Sequence, residues 1–210
     1  MSKHPFWYHA PRLCLTAALA AIIGFFAFEF AGKSRPEPAI GNESSAVNAV
    51  PLLNENGAVT SLGAFKGSWV VVFFGYATCP DVCPTSLAYL ARELKQLGSG
   101  SANVRGVFIS LDPKRDNPDS LGRYVHYFDP NLTALTGTEE NLRRLSKLLG
   151  VYYEVQPAPK SQPENAYTLA HTASFFILSP RGELAQTISP PFAPGAVAGA
   201  LSTVLSAAAH

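Results

Sequence analysis

Apolar residues are distributed along this chain in two different ways. From Leu13 to Phe28 they run almost unbroken, interrupted only by Thr16 and Gly24. No polar face emerges at helical spacing, so the run does not read as a helix on the surface of a soluble domain. Its length lies at the short end for crossing a bilayer and also suits a signal-peptide core. The run passes into Phe28-Glu29-Phe30-Ala31-Gly32, a poor A-x-A-type cleavage site, which favours an uncleaved anchor over a removed signal. Lys3 and Arg12 precede the run and Lys33 and Arg35 follow it, so flanking charge does not set its orientation. Lys33 to Val50 is rich in Pro, Ser, Glu, Asn and Gly and reads as a tether. The expected organisation is an anchor over 1–32, a flexible linker over 33–49 and a globular domain over 50–210.

Beyond the tether, short apolar runs alternate with helical stripes. Val59-Thr60 beside Gly57 suggests an early hairpin. Trp69 to Phe74 is apolar without alternation, as in a strand buried on both faces. A loop over Gly75–Cys83 leads into Pro84–Leu97, where Leu87, Leu90, Ala91, Leu94 and Leu97 form a stripe ended by Gly98. Arg105–Leu111 is a second buried strand, stopped by Asp112-Pro113. Asn117 and Pro118 are placed as N-cap and first residue of a helix reaching Phe128. Thr138 caps a further helix, with Glu139 and Glu140 in its positive first turn and Gly150 at its end. Val151–Val155 reads as a short strand. Ala173–Leu178 and Glu183–Ile188 form a hairpin about Arg181-Gly182, and an Ala-rich helix closes the chain over Pro194–Ala208. The order β-α-β-α-α-β-β-α predicts an α/β thioredoxin-like fold, a central mixed sheet flanked by helices. Its site belongs beyond the carboxyl ends of the strands, at Gly75–Cys83 and the loop before Ala173.

Composition narrows the function. Hydrophobic residues make up 47% of the chain and charged residues 15%, which excludes a disordered protein. The net charge is +1 and the 16 Lys and Arg are scattered, with no basic stripe to track a nucleic acid. A single Met excludes a Met-rich metal carrier, and three Cys are too few for a disulfide scaffold. Cys14 lies inside the first apolar run and is read as an apolar helix residue.

The other two cysteines stand in Cys79-Pro80-Asp81-Val82-Cys83-Pro84. Pro84 biases Cys83 away from helical angles, placing it at an N-cap with Pro84 as first helical residue. A cysteine there feels the helix dipole, which favours the thiolate, the nucleophilic and metal-binding form. Three residues separate the cysteines, one more than in the C-x-x-C of thioredoxin-type oxidoreductases. The wider loop tolerates sulfurs held apart around a metal and can still close to a disulfide with local movement. Soft thiolates favour Cu(I) or Zn(II). Two cysteines cannot complete a four-ligand structural zinc site, whereas Cu(I) needs only one further donor.

Of the five histidines, His4 and His9 precede the apolar run, His210 ends the chain and His126 falls within a helix. His171, just before the strand Ser174–Leu178, is the one that a thioredoxin-like topology brings to the cysteines. Topology alone leaves two roles open, a metal ligand or a strand-end histidine bonded to backbone. Asp112, Arg115 and Asp116 read as a capped turn with local ion pairing, and Asp81 as a loop-shaping or partner-facing residue.

Several motifs in order resemble the SCO/SenC proteins, copper-handling assembly factors of cytochrome c oxidase. They are Phe73-Phe74-Gly75-Tyr76 followed by Cys79-Pro80-Asp81-Val82-Cys83-Pro84, then Ser110-Leu111-Asp112-Pro113-Lys114-Arg115-Asp116-Asn117-Pro118, Leu135-Thr136-Gly137-Thr138, His171 and Ser189-Pro190-Pro191. The resemblance covers Val50 to the C-terminus. It implies that Cys79, Cys83 and His171 bind Cu(I), and also Cu(II). It implies delivery of copper, received from an upstream periplasmic donor, to the binuclear CuA centre of oxidase subunit II. The other implied activity is that of a thiol–disulfide oxidoreductase, in which Cys79 and Cys83 are a redox pair that reduces the CuA cysteines. A peroxidase is disfavoured by the wide pair. Apart from the resemblance, a short N-terminus without an Arg- and Ser-rich transit peptide favours a bacterial inner membrane, single-pass, with the domain in the periplasm. Two departures stand out. Ala170 occupies a place where many members carry Asp, and Ala77-Thr78 replaces Thr-His or Thr-Thr.

Overall fold

The computed structural model describes residues 40–207. The run Leu13–Phe28, Cys14, His4, His9 and His210 lie outside these residues. Among the described residues no helix is long and apolar enough to cross a membrane.

The chain opens with helix α1 (Ile40–Ala49), followed by the hairpin β1 (Leu52–Asn54) and β2 (Val59–Thr60). Next come β3 (Trp69–Gly75), α2 (Val82–Gln96), β4 (Val104–Ser110), α3 (Pro118–Phe128), β5 (Thr133–Thr136) and α4 (Glu139–Leu149). The hairpin β6 (Tyr153–Gln156) and β7 (Thr168–His171) precedes β8 (Phe175–Leu178), β9 (Leu184–Ile188) and α5 (Ala196–Ala207). Seven strands form one mixed sheet in the order β2-β1-β5-β4-β3-β8-β9, while β6 and β7 pair only with each other. This is the mixed thioredoxin-like arrangement that the element order predicts.

The centre of the sheet follows from the apolar runs. β3 is parallel to β4 over its whole length, Trp69↔Val104 to Gly75↔Ser110, and antiparallel to β8. Every residue from Val70 to Gly75 is buried, as a strand covered on both faces requires. Phe73, Phe74, Phe108 and Phe175 are fully buried and anchor the core. The predicted caps form. Asn117 accepts a hydrogen bond from the Ser120 N–H, Thr138 accepts from the Asn141 N–H, and Gly150 ends α4 in the left-handed region.

Three features depart from the sequence expectations. The second half of the tether is helical. α1 packs against the 3₁₀ turn Leu62–Phe65 and against α4, burying Val47 and Asn48. Its sequence IGNESSAVNA has no apolar stripe, so only docking reveals it. Strands β5 and β7 are additions, each four residues long with little intrinsic signal. Finally, α2 begins at Val82, with Asp81 in the N-cap position and making no side-chain cap bond. Cys83 is therefore inside the first turn rather than at the cap.

Candidate metal centre

The sheet brings the two ends of the site together. β3 and β8 are antiparallel, with Phe73↔Phe175 as their last pair. The chain leaving β3 and the chain entering β8 therefore open on the same edge of the sheet. Cys79 and Cys83 lie on the first, His171 on the second. Their two sulfurs and a ring nitrogen all fall within 4.8 Å of one another. Cys83 Sγ is 3.5 Å from His171 Nε2, and the Cys83 N–H points to Cys79 Sγ at 3.5 Å.

This convergence needs a glycine in β3. A Cβ on Gly75 would stand 2.6 Å from Cys83 Sγ and 2.9 Å from a ring carbon of Phe108. Only a residue without a side chain lets the helix start sit so close to the sheet.

The geometry of His171 accommodates both roles that topology left open. Its Nδ1 lies 3.2 Å from the Thr172 carbonyl oxygen. The N–H belongs on Nδ1, which donates, and the Nε2 lone pair is left facing Cys83. The Phe73 and Tyr76 rings meet the imidazole edge-on at 6.2 and 6.1 Å, fixing its plane.

The cysteines are not equivalent. Cys79 is half-buried and Cys83 fully buried, and neither is in a disulfide. A hydrogen bond from the Cys83 side chain, aided by the Asp81 and Cys83 N–H groups, holds Cys79 down to about 5. The same bond and burial push Cys83 far up. Of the two, Cys79 is thus the one favoured as thiolate and Cys83 the one favoured as thiol. At Cys83, burial and the neighbouring Cys79 thus oppose the helix dipole from which the sequence led one to expect a thiolate. Burial, and then the charge of Cys79, also raises Tyr76.

A depression of about 440 Å³ opens the site outward, lined by Tyr76, Cys79, Asp81, Val82 and His171. Cys79 and His171 face it and Cys83 lies behind them. Asp81 is exposed at its rim, where its Oδ1 accepts from the Thr85 hydroxyl at 3.4 Å. Ala170 is exposed and stands across the ladder from Glu154. His126 is on the surface of α3, 3.3 Å from Glu55 Oε2, and takes no part.

The turn Asp112–Asp116 adds residues that the sequence reading left as local structure. It is closed by the Arg115 and Asp116 N–H groups donating to the Asp112 carbonyl, and Arg115 pairs with Asp112 as expected. Asp116 also reaches out of the turn. Its Oδ2 accepts from the Ala77 N–H at 2.9 Å and from the Ser110 hydroxyl at 2.6 Å. The signal was present in the motif Ser110–Pro118, but spacing alone does not reveal a bond across 39 residues.

Fold and site together define a thioredoxin-like domain carrying two thiols and one imidazole at a single point on its sheet edge. The chain belongs to the SCO1/SenC family, whose model matches residues 41–206. The mitochondrial SCO2 homologue of Bos taurus is 37% identical over 133 residues, 62% of this chain and 49% of that protein. The chain thus spans about half the length of this curated relative. Copper-bound ScoI from Bradyrhizobium japonicum superimposes with a TM-score of 0.65 at 31% identity, over 73% of this chain and 96% of the other. Copper-bound ScoI from Arabidopsis thaliana gives 0.68 at 26% identity, over 77% and 99%.

Proposed function

We propose that the protein is a copper metallochaperone in which Cys79, Cys83 and His171 hold Cu(I), with Cu(II) as a second bound form. The observation that carries this reading is the meeting of two sulfurs and a ring nitrogen within 4.8 Å. Two soft thiolates suit Cu(I), and the imidazole supplies a third donor through its free Nε2. The copper found in the ScoI relatives points the same way. Copper is cargo here. Uptake releases the proton of Cys83, which burial and the neighbouring Cys79 keep on the sulfur. The half-exposed Cys79 and His171 are the donors through which copper enters and leaves. The recipient is the CuA centre of cytochrome c oxidase subunit II, and an upstream periplasmic protein supplies the copper. Leu13–Phe28 anchors the domain in a bacterial inner membrane, facing the periplasm.

A second reading rests on two free cysteines whose sulfurs lie within 4.8 Å, with Cys79 the one favoured as thiolate, as a thiol–disulfide reductant requires. In that role the pair closes to a disulfide while reducing the CuA cysteines.

Anaerobic titration of the reduced protein with Cu(I), against a competing chelator, separates the two. One tightly held Cu(I), lost in Cys83→Ser and weakened in His171→Ala, is the expected result. No retained copper, with ready disulfide exchange that survives His171→Ala, would replace the chaperone by the reductase.

A further inference from the structure

We propose that the Asp112–Asp116 turn is a clasp that sets the two halves of the site against each other, with Arg115 as the positioning residue for His171. The inference rests on His171 being a copper ligand.

The need for a clasp follows from the topology. His171 ends β7, and β7 has no ladder with the seven-stranded sheet that carries the cysteines. On its C-terminal side His171 is held through Thr172–Ser174, which lead into β8, and by the Thr172 N–H donating to the Tyr152 carbonyl. On its N-terminal side β7 is held by its ladder with β6, by Leu169 buried in the core and by Arg115. Its Nη1 donates to the carbonyls of Asn165 at 3.0 Å and Tyr167 at 2.8 Å. Its Nε pairs with Asp112 Oδ2, and Asp112 Oδ1 accepts from the Tyr167 hydroxyl at 2.6 Å. The guanidinium lies over the Tyr167 ring, 3.7 Å from its centroid, and 5.6 Å from that of Tyr76, whose ring contacts His171.

The same turn holds the other arm. Asp116 accepts from the Ala77 N–H, two residues before Cys79. The turn itself is fastened to the sheet by the Leu111 N–H donating to the Gly75 carbonyl at 2.8 Å. One short turn thus touches the chain before Cys79 and the chain before His171, segments that the sheet hydrogen bonds leave independent.

A plain surface ion pair would not need this construction. Asp112 is 3% exposed and Arg115 17%, and the guanidinium uses separate N–H groups for the carboxylate and for two backbone carbonyls. Lysine keeps the charge but has no planar fork to do both. Arg115→Lys is therefore the informative substitution.

The test is a double-mutant cycle on Cu(I) affinity, measured on the reduced full chain with a competing chelator. Arg115→Lys should weaken Cu(I) about tenfold when His171 is present, the scale seen for outer partners of metal ligands. In the His171→Ala background the same change should cost less than about twofold, since the group it positions is gone. Absorption-edge fine structure on bound Cu(I) should lose its nitrogen contribution in Arg115→Lys and keep both sulfurs. Tyr167→Phe, which removes one hydroxyl and keeps the ring, should act in the same direction but less, and serves if Arg115→Lys does not fold. Equal weakening with and without His171, or unchanged affinity in both variants, overturns the clasp as a positioning device. If His171→Ala alone leaves Cu(I) binding intact, the ligand reading fails first and the clasp falls with it.

Discussion

Cys79 and Cys83 are four residues apart, yet their environments pull their protons in opposite directions. Cys79 is half-exposed and receives hydrogen bonds from the Cys83 side chain and from two N–H groups, so the thiolate is favoured. Cys83 is fully buried and has a thiolate for a neighbour, so the thiol is favoured. Of the two site cysteines, the reduced, copper-free protein should therefore alkylate at one. Iodoacetamide should modify Cys79 with a rate that rises through about pH 5 and is flat at neutral pH. An ordinary thiol would still be gaining reactivity near its usual value of about 8.5. The sign is set by the donor: Cys83→Ala removes it and should move the Cys79 midpoint upward. Mass spectrometry of alkylated peptides across pH checks both points, and preferential labelling of Cys83 would contradict the assignment.

At the scale of elements, α2 does more than carry Cys83. Its Glu93 is fully buried and accepts from the N–H groups of Gly195 at 3.0 Å and Ala198 at 3.2 Å. These donors open α5, whose own sequence offers no Ser, Thr, Asp or Asn cap. A side chain on one helix thus caps another, satisfying two part-buried donors of its first turn and meeting the positive end of the dipole. Glu93→Ala should cost about 1–2 kcal/mol through two part-buried N–H groups left unpaired. Glu93→Gln should recover part of the loss, since its amide oxygen still accepts. Urea unfolding of the three proteins measures the difference, and Cu(I) affinity should hardly change. The cap was not legible in the chain because its two halves are about a hundred residues apart. Caps made within one segment, at Asn117 and Thr138, were legible because donor and acceptor are three residues apart.

The molecule as a whole starts earlier than its composition indicates. α1 buries Val47, and Asn48 Nδ2 donates to the Arg181 carbonyl at 2.8 Å, tying the start of the domain to the β8–β9 turn. Gly182 in that turn is in the left-handed region and leaves no room for a Cβ beside Asn48. Removing the chain through Ala49 should destabilise the domain by about 3 kcal/mol, the sum of one buried Val and one long-range hydrogen bond. Comparison of urea midpoints for chains starting before Ile40 and at Val50 tests this. Equal midpoints would return 40–49 to the role of a tether. Cys79, Cys83 and His171 lie elsewhere, so Cu(I) affinity should be the same in both.

The parallel core, the terminal hairpin, the local helix caps and the three side chains that converge at the site were all legible in the chain. These rest on short-range patterns: an apolar run too continuous for a half-exposed strand, a proline-flanked cysteine pair, and one histidine at the start of a strand. The fold decides which sulfur is favoured as the thiolate, because burial and the neighbouring cysteine oppose the helix dipole. It alone placed α1, a helix without an apolar stripe, and joined Asp116 to Ala77 and Arg115 to Asn165 and Tyr167. A hydrogen bond between distant segments leaves no periodicity in a chain. It exists only after the sheet has brought its donor and acceptor to the same edge.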